Sequence, residues 1–187
     1  EVLVSGAGSL KNRTMDVLES VLPQLGAVCS TNQGMPPIRV KGPLMSGCIA
    51  LNGSITSQVL SGLLMALPVT TGNSKIKVNS LKSRGYIDLT IQVLKQFGVA
   101  INHDNYTEFH IQGNQRYTPC EITIEGDWSG SAFHLVGAAI SGKVSLTGLR
   151  PSSSQPDKKI LQAIESAGAL VRSNNNIVTV EKEALNS

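Results

Sequence analysis

Three stretches of the chain share one pattern of apolar and polar positions. Leu18 to Gly26, Ile91 to Gly98 and Ile160 to Gly168 are amphipathic runs that each stop at a glycine followed by Ala or Val. In the last run Ile160, Ala163, Ile164 and Ala167 fall at i, i+3, i+4 and i+7, the spacing of one helix face. The glycine suits the position just past a helix, because it takes left-handed backbone at no steric cost. A strand is expected after each. Gly26, Gly98 and Gly168 stand 72 and 70 residues apart. A second marker keeps the same period. Cys48 to Ala66 and Glu121 to Ala139 both read as a short strand, a hydroxyl-rich turn and an apolar helix, with Gly53 and Gly126 separated by 73 residues.

Together these markers predict a repeated β-α-β-α-β-β unit, an α/β (α+β) fold class. In the middle unit, 47–116, strands are expected at 47–52, 74–79, 99–103 and 107–112, and helices at 57–67 and 85–97. Residues 1–46 read as the second half of a unit, and 120–182 as a nearly complete third. The loop from Tyr117 to Glu121, with Pro119, is the expected hinge, dividing 1–121 from 122–187. Units of this kind bury a core only together, so a half unit implies a missing partner. Glu1 and the immediate strand Val2-Leu3-Val4 make the chain an expected piece cut from a longer protein.

Composition narrows the class. Of 187 residues 41% are hydrophobic and 16% charged, which excludes a disordered chain. Only 4% are aromatic, so aliphatic residues must fill the core. The net charge is +3, with basic residues scattered rather than gathered on one face, which argues against nucleic acid. No apolar run approaches the roughly 18 residues of a membrane span. No signal peptide opens the chain, and a cytoplasmic location is expected. Cys29, Cys48 and Cys120 lack metal-site spacing and read as reduced thiols. No zinc site is expected.

The candidate chemistry lies where helices begin. Gly53-Ser-Ile-Thr56-Ser57-Gln58 places three hydroxyls and an amide at the start of an apolar helix. Unpaired N–H groups and a partial positive charge there attract phosphate. An ordinary N-cap would use one hydroxyl. Ser80-Leu-Lys-Ser83-Arg84-Gly85-Tyr86-Ile-Asp occupies the matching turn later in the unit, so two helix starts could hold one sugar-like phosphate. A solvated turn is the plainer reading of that segment alone. Gly6-Ala-Gly8-Ser9-Leu-Lys11-Asn-Arg13 is a third turn with basic residues. It fits neither the dinucleotide nor the P-loop pattern. Arg13 could pair with a carboxylate or phosphate, or sit on the surface. His103, His110 and His134 show no ligand spacing. Asp127 reads as an N-cap, and no nucleophile–base arrangement is visible, so no catalytic residue is assigned.

These segments, in order along nearly the whole chain, resemble the 5-enolpyruvylshikimate-3-phosphate synthase family. Thr56-Ser57-Gln58 is similar to its Ser-Ser-Gln signature and is followed by Leu63 to Ala66 as that family's helix would be. Ser80 to Thr90 resembles its Ser-Lys-Pro-Tyr-Ile-Asp-x-Thr stretch. Gly6 to Met15 resembles its glycine turn, and Glu125 to Ala132 its Glu-Gly-Asp crossing segment. The resemblance implies the enolpyruvyl transferase fold, two domains of three units each. It places 1–121 in the shikimate-phosphate-binding domain and 122–187 at the start of the other. It implies transfer of the carboxyvinyl group of phosphoenolpyruvate to the 5-hydroxyl of shikimate 3-phosphate by addition and elimination, without metal or cofactor. Thr56, Ser57 and Ser83 would hold the shikimate phosphate, Gln58 would lie between the substrates, Tyr86 would flank the ring and Arg13 would bind phosphoenolpyruvate. The expected partners are these two substrates and the remainder of the polypeptide. Thr56 replaces a Ser, and Thr14 and Gly85 each replace a Pro.

The family's N-terminal Lys-Ser-x-x-x-Arg segment, its Gly-Asn-Ala/Ser-Gly-Thr loop and its late proton-shuttling residues are not found, so the piece alone is expected to be inactive. Two other readings remain open. One is UDP-N-acetylglucosamine enolpyruvyl transferase, which shares the repeat. The other is a non-catalytic module that binds small anions. RNA-phosphate cyclase has a related repeat, but its expected histidine motif is not visible here.

Overall fold

Alternation along the strands sets the sheets. In the computed structural model, which describes every residue except 55, 56 and 184–187, the chain divides into two units, Glu1–Cys120 and Glu121–Ser187.

The first unit opens with β1 (Val2–Val4), a 3-10 turn (Gly8–Asn12), α1 (Val17–Val21), a 3-10 turn (Leu22–Leu25), β2 (Val28–Asn32) and β3 (Met35–Lys41). These strands form an antiparallel sheet in the order β1-β3-β2. The run ending at Gly26 is thus not one helix. Pro23 has no N–H to give to the carbonyl four residues back, so the α-helix stops and a 3-10 turn finishes the run.

Next come β4 (Cys48–Asn52), α2 (Ser57–Ala66), β5 (Ser74–Asn79), α3 (Arg84–Gln96), β6 (Asn102–Asp104) and β7 (Glu108–Ile111). Each overlaps an element expected from the sequence, with ends shifted by at most three residues. The sheet order is β4-β5-β7-β6, with β4 and β5 parallel and the other pairs antiparallel. Inward positions Ile49, Leu51, Ile76, Val78, Phe109 and Ile111 alternate with outward, mostly polar ones, as a sheet covered on one face requires. Leu60, Leu63 and Leu64 of α2 and Ile87 and Leu94 of α3 fill the other side of that core. Val21 and Leu25 from the first half unit join the same core, so α2 is covered by the preceding segment as well.

The second unit holds α4 (Trp128–Ser141), β8 (Lys143–Thr147), a 3-10 turn (Pro156–Lys159), α5 (Ile160–Ser166), β9 (Leu170–Asn174) and β10 (Ile177–Glu181). Its antiparallel sheet runs β8-β10-β9 over a core of Trp128, Leu135, Leu149, Ile164, Val178 and Val180 with smaller residues. The strand expected at 121–125 does not form. Only its end is tied, by Gly126 N–H donating to Gly148 O at 2.8 Å. Ile124 is 80% exposed, so the apolar burial that would fix a strand register is missing.

The repeat is nevertheless written into hydrogen bonds. After each helical run Gly26, Gly98 and Gly168 take φ of +78°, +80° and +96°. The following N–H reaches back five residues in all three: Ala27 to Leu22 O, Val99 to Leu94 O, Ala169 to Ile164 O. Gly53 N–H donates to Asn79 O at 2.8 Å, as Gly126 does to Gly148. A Cβ on Gly53 would lie 2.9 Å from the Leu81 Cα, so only glycine lets these two turns touch.

Candidate functional site

The parallel pairing of β4 with β5 decides where the candidate chemistry gathers. Asn52 stands opposite Asn79 at the ends of the two strands, and α2 and α3 leave from that same end. The turn at Gly53 and Ser54 and the turn 80–83 are therefore neighbours, held by the Gly53–Asn79 bond. Carboxyl ends of parallel strands are where open α/β sheets build ligand crevices.

A cleft of about 630 Å³ opens between α2 and α3, lined among others by Ser57, Gln58, Ser61, Tyr86 and Thr90. Ser57 is half-buried, while Gln58 and Tyr86 are exposed. Ser83 is half-buried at the N-cap of α3, and its side chain makes no capping hydrogen bond, so the hydroxyl is not spent on the helix. It does not line the 630 Å³ cleft. Ser54, by contrast, is committed to the turn: its N–H and hydroxyl both donate to Asn52 Oδ1, at 3.0 and 2.8 Å. Thr56 lies outside the described residues.

Arg13 reaches this region from far along the chain. Its backbone N–H closes the 3-10 turn on Leu10 O, and Nη2 donates to Gln58 Oε1 at 2.8 Å. Arg13 and Gln58 also line a second, largely apolar cleft of about 660 Å³ beside α1. Gln58 is thus the side chain common to both clefts. Five of the six residues singled out by sequence are described. Four of these, Arg13, Ser57, Gln58 and Tyr86, are joined through the clefts and the Arg13–Gln58 bond. Ser83 stands at the adjoining helix start.

Residues that the sequence did not single out support this edge. Ser61 and Thr90 share a 2.9 Å hydroxyl–hydroxyl hydrogen bond between α2 and α3, and the Thr90 hydroxyl also lies 2.9 Å from Tyr86 O as donor. Tyr106, in the β6–β7 turn, donates its hydroxyl to Asp88 Oδ1 at 2.6 Å, and the Arg84 guanidinium sits 5.2 Å above its ring. His103 stacks on Tyr106 with centroids 4.3 Å apart. The bond to Asp88, then burial, push the Tyr106 phenol above its ordinary value. Tyr106 has φ of +62°, costly for a bulky residue, and these contacts hold it there. They pin the β6–β7 turn to the first turns of α3. The sequence signal was available in the Asp104-Asn105-Tyr106 turn but pointed only to a hairpin. In the second unit Asp127 caps α4 as expected, accepting from Ser129 and Gly130 N–H at 2.9 and 3.1 Å.

Comparison with known proteins decides the family. The EPSP synthase model, 3-phosphoshikimate 1-carboxyvinyltransferase, matches residues 1–187. The chain belongs to the EPSP synthase family. It is 36% identical over 182 residues to the 3-phosphoshikimate 1-carboxyvinyltransferase of Clostridium botulinum (strain Alaska E43 / Type E3), covering 96% of this chain and 42% of that protein. It is 38% identical over 191 residues to the protein of the same name in Buchnera aphidicola subsp. Acyrthosiphon pisum (strain Tuc7), covering 100% and 45%. Among solved structures, EPSP synthase from Acinetobacter baumannii superposes with a TM-score of 0.70 at 22% identity, over 96% of this chain and 42% of that one. The enolpyruvyl transferase NikO from Streptomyces tendae superposes with a TM-score of 0.63 at 15% identity, over 89% and 42%. The two structural likenesses establish the enolpyruvyl transferase fold. The chain spans less than half the length of each of these family relatives. Among the described residues no helix is long and apolar enough to cross a membrane.

Proposed function

We propose that this EPSP synthase family chain supplies the shikimate 3-phosphate cradle, and one phosphoenolpyruvate contact, of a carboxyvinyl transferase. The reaction joins the carboxyvinyl group of phosphoenolpyruvate to the 5-hydroxyl of shikimate 3-phosphate by addition, then expels phosphate. Ser57, Ser83 and Thr56 hold the sugar-like phosphate with the N–H groups at the starts of α2 and α3, where partial positive charge favours an anion. Tyr86 flanks the ring. Gln58 lies between the two substrates, and Arg13 pairs with the phosphoenolpyruvate anion, giving up part of its bond to Gln58 as it does so. These residues bind and orient, and no proton transfer is assigned to them. Glu1–Cys120 then belongs to the shikimate-phosphate-binding domain and Glu121–Ser187 begins the second. The remainder of the polypeptide completes the site, and the reaction runs in the cytoplasm.

One observation carries this reading: a hydrogen bond joins Arg13, far off in sequence, to Gln58 in the cleft that Ser57 and Tyr86 line. Calorimetric titration of the chain with shikimate 3-phosphate tests it. Saturable binding that Ser57→Ala and Ser83→Ala each weaken is expected, with no phosphate release when phosphoenolpyruvate is added. Binding of a UDP-sugar instead, or of any small phosphate equally, would sink the proposal.

A further inference from the structure

A second polar constellation lies on the solvent face of the four-stranded sheet. Asp104 pairs across from Glu108, which in turn pairs with Lys77, while His110 pairs with Asn102 and with Lys75. Strand alternation puts Asp104, Glu108, His110, Lys75 and Lys77 on one face, because Phe109 and Ile111 between and beyond them are buried on the other. Two carboxylates directly opposite each other repel, and Lys75 and Lys77 on the same face offset part of that repulsion. His110 Nε2 lies 2.9 Å from Asp104 Oδ2 and 3.5 Å from Glu108 Oε1, and one donor atom from each of the three residues falls within 4.8 Å of the others. Ligands bound at zinc-like distances are spaced by about 3.3 Å in a tetrahedron, close to the two separations measured from His110. The hairpin that carries them is stiff, with Thr107 bonded to Asp104 O at 2.7 Å and Tyr106 anchored to Asp88.

We propose that Asp104, Glu108 and His110 form a site for a divalent transition-metal ion of the zinc class, with Lys75 as the cation that competes for it. An imidazole with two carboxylates suits zinc better than magnesium. Lys75 Nζ now sits 2.7 Å from Glu108 Oε1, the Glu108 carboxyl being held below its usual range by that bond. Metal binding displaces the ammonium and ties the short edge strand β6 to β7. None of the residues assigned to substrate binding takes part.

Zinc titration by calorimetry, in a Cys29→Ser/Cys48→Ser/Cys120→Ser background so that thiols cannot hold the ion, tests the site. One saturable event is expected, with no counterpart for magnesium. Asp104→Asn and His110→Ala should each weaken it about tenfold or more, at least as much as losing an outer-shell partner does. Lys75→Gln should tighten it well over fivefold, because about fivefold is the Coulomb effect in water of one unit charge on another some 4 Å away and the ion carries two. That gain cannot arise from misfolding. Absence of saturable zinc binding, unchanged affinity in His110→Ala, or no tightening in Lys75→Gln would each overturn the proposal.

Discussion

The strand–turn–helix pattern occurs twice in the sequence, and the two copies fold to different extents. At 48–66 the strand pairs along its whole length with β5, Ile49 and Leu51 are buried, and α2 is packed from both sides. At 121–141 the turn and helix form around the same glycine-to-carbonyl bond, yet no strand does. Ile124 and Phe133 are 80% and 81% exposed, and Ile140 extends the bare stripe along α4. The difference teaches where the first strand of such a unit gets its stability. Leu25 and Val21, from the preceding half unit, complete the core that Ile49 and Leu51 enter. Local pattern sets the turn and helix, and apolar cover from another segment sets the strand.

The sharpest break in this contrast is a pair of truncations. Leu64→Ala, at a fully buried position in α2, should cost about 2–5 kcal/mol. Phe133→Ala should stay within about 0.5 kcal/mol. Urea denaturation of both variants checks this, and equal losses would abolish the distinction. Next in size are the two glycines. Gly53→Ala must move the Leu81 backbone and should cost about 1–3 kcal/mol. Gly126→Ala, whose Cβ would lie 3.1 Å from Gly148 O, should cost less in the same experiment. The helix starts differ too. Asp127→Ala removes a working cap and should lose about 1 kcal/mol in thermal unfolding. Ser83→Ala removes no cap bond and should change stability by no more than about 0.5 kcal/mol, so that the proposed loss of shikimate 3-phosphate binding would be read without a stability change.

The smallest expected effect is a pH dependence. The Tyr106 phenol is raised by its bond to Asp88. A raised value means the bond's contribution is fully present below the unfolded tyrosine value of about 10 and is lost as pH rises through the folded one. Tyr106→Phe should therefore flatten the alkaline limb of a stability–pH profile, read by denaturant midpoint between about pH 8 and 11. An unchanged limb would mean that the bond to Asp88 adds nothing.

How far the sequence foretold these results depends on how local each signal is. The middle unit was legible because alternation in Ser74–Asn79 and the helical spacing in Arg84–Gln96 act within a few residues. So were the glycine stops at 26, 98 and 168. The missing strand at 121–125 was not, since pairing depends on residues far away. Pro23 was visible, but its effect was hidden by the apolar periodicity around it. At the candidate site, the hydroxyls at helix starts could be read directly. The meeting of Arg13 with Gln58 across 45 positions could not, and came only through family resemblance. The Tyr106–Asp88 clamp was missed because an Asn-Tyr turn announces a hairpin and says nothing of what the ring will touch.

The uncovered stripe on α4 has a practical consequence for anyone handling the chain in solution. Phe133, Val136 and Ile140, together with Ile124, offer greasy surface to any neighbour. Concentrated samples should therefore scatter light and brighten a hydrophobic dye, and replacing Phe133 by a lysine should keep them clear.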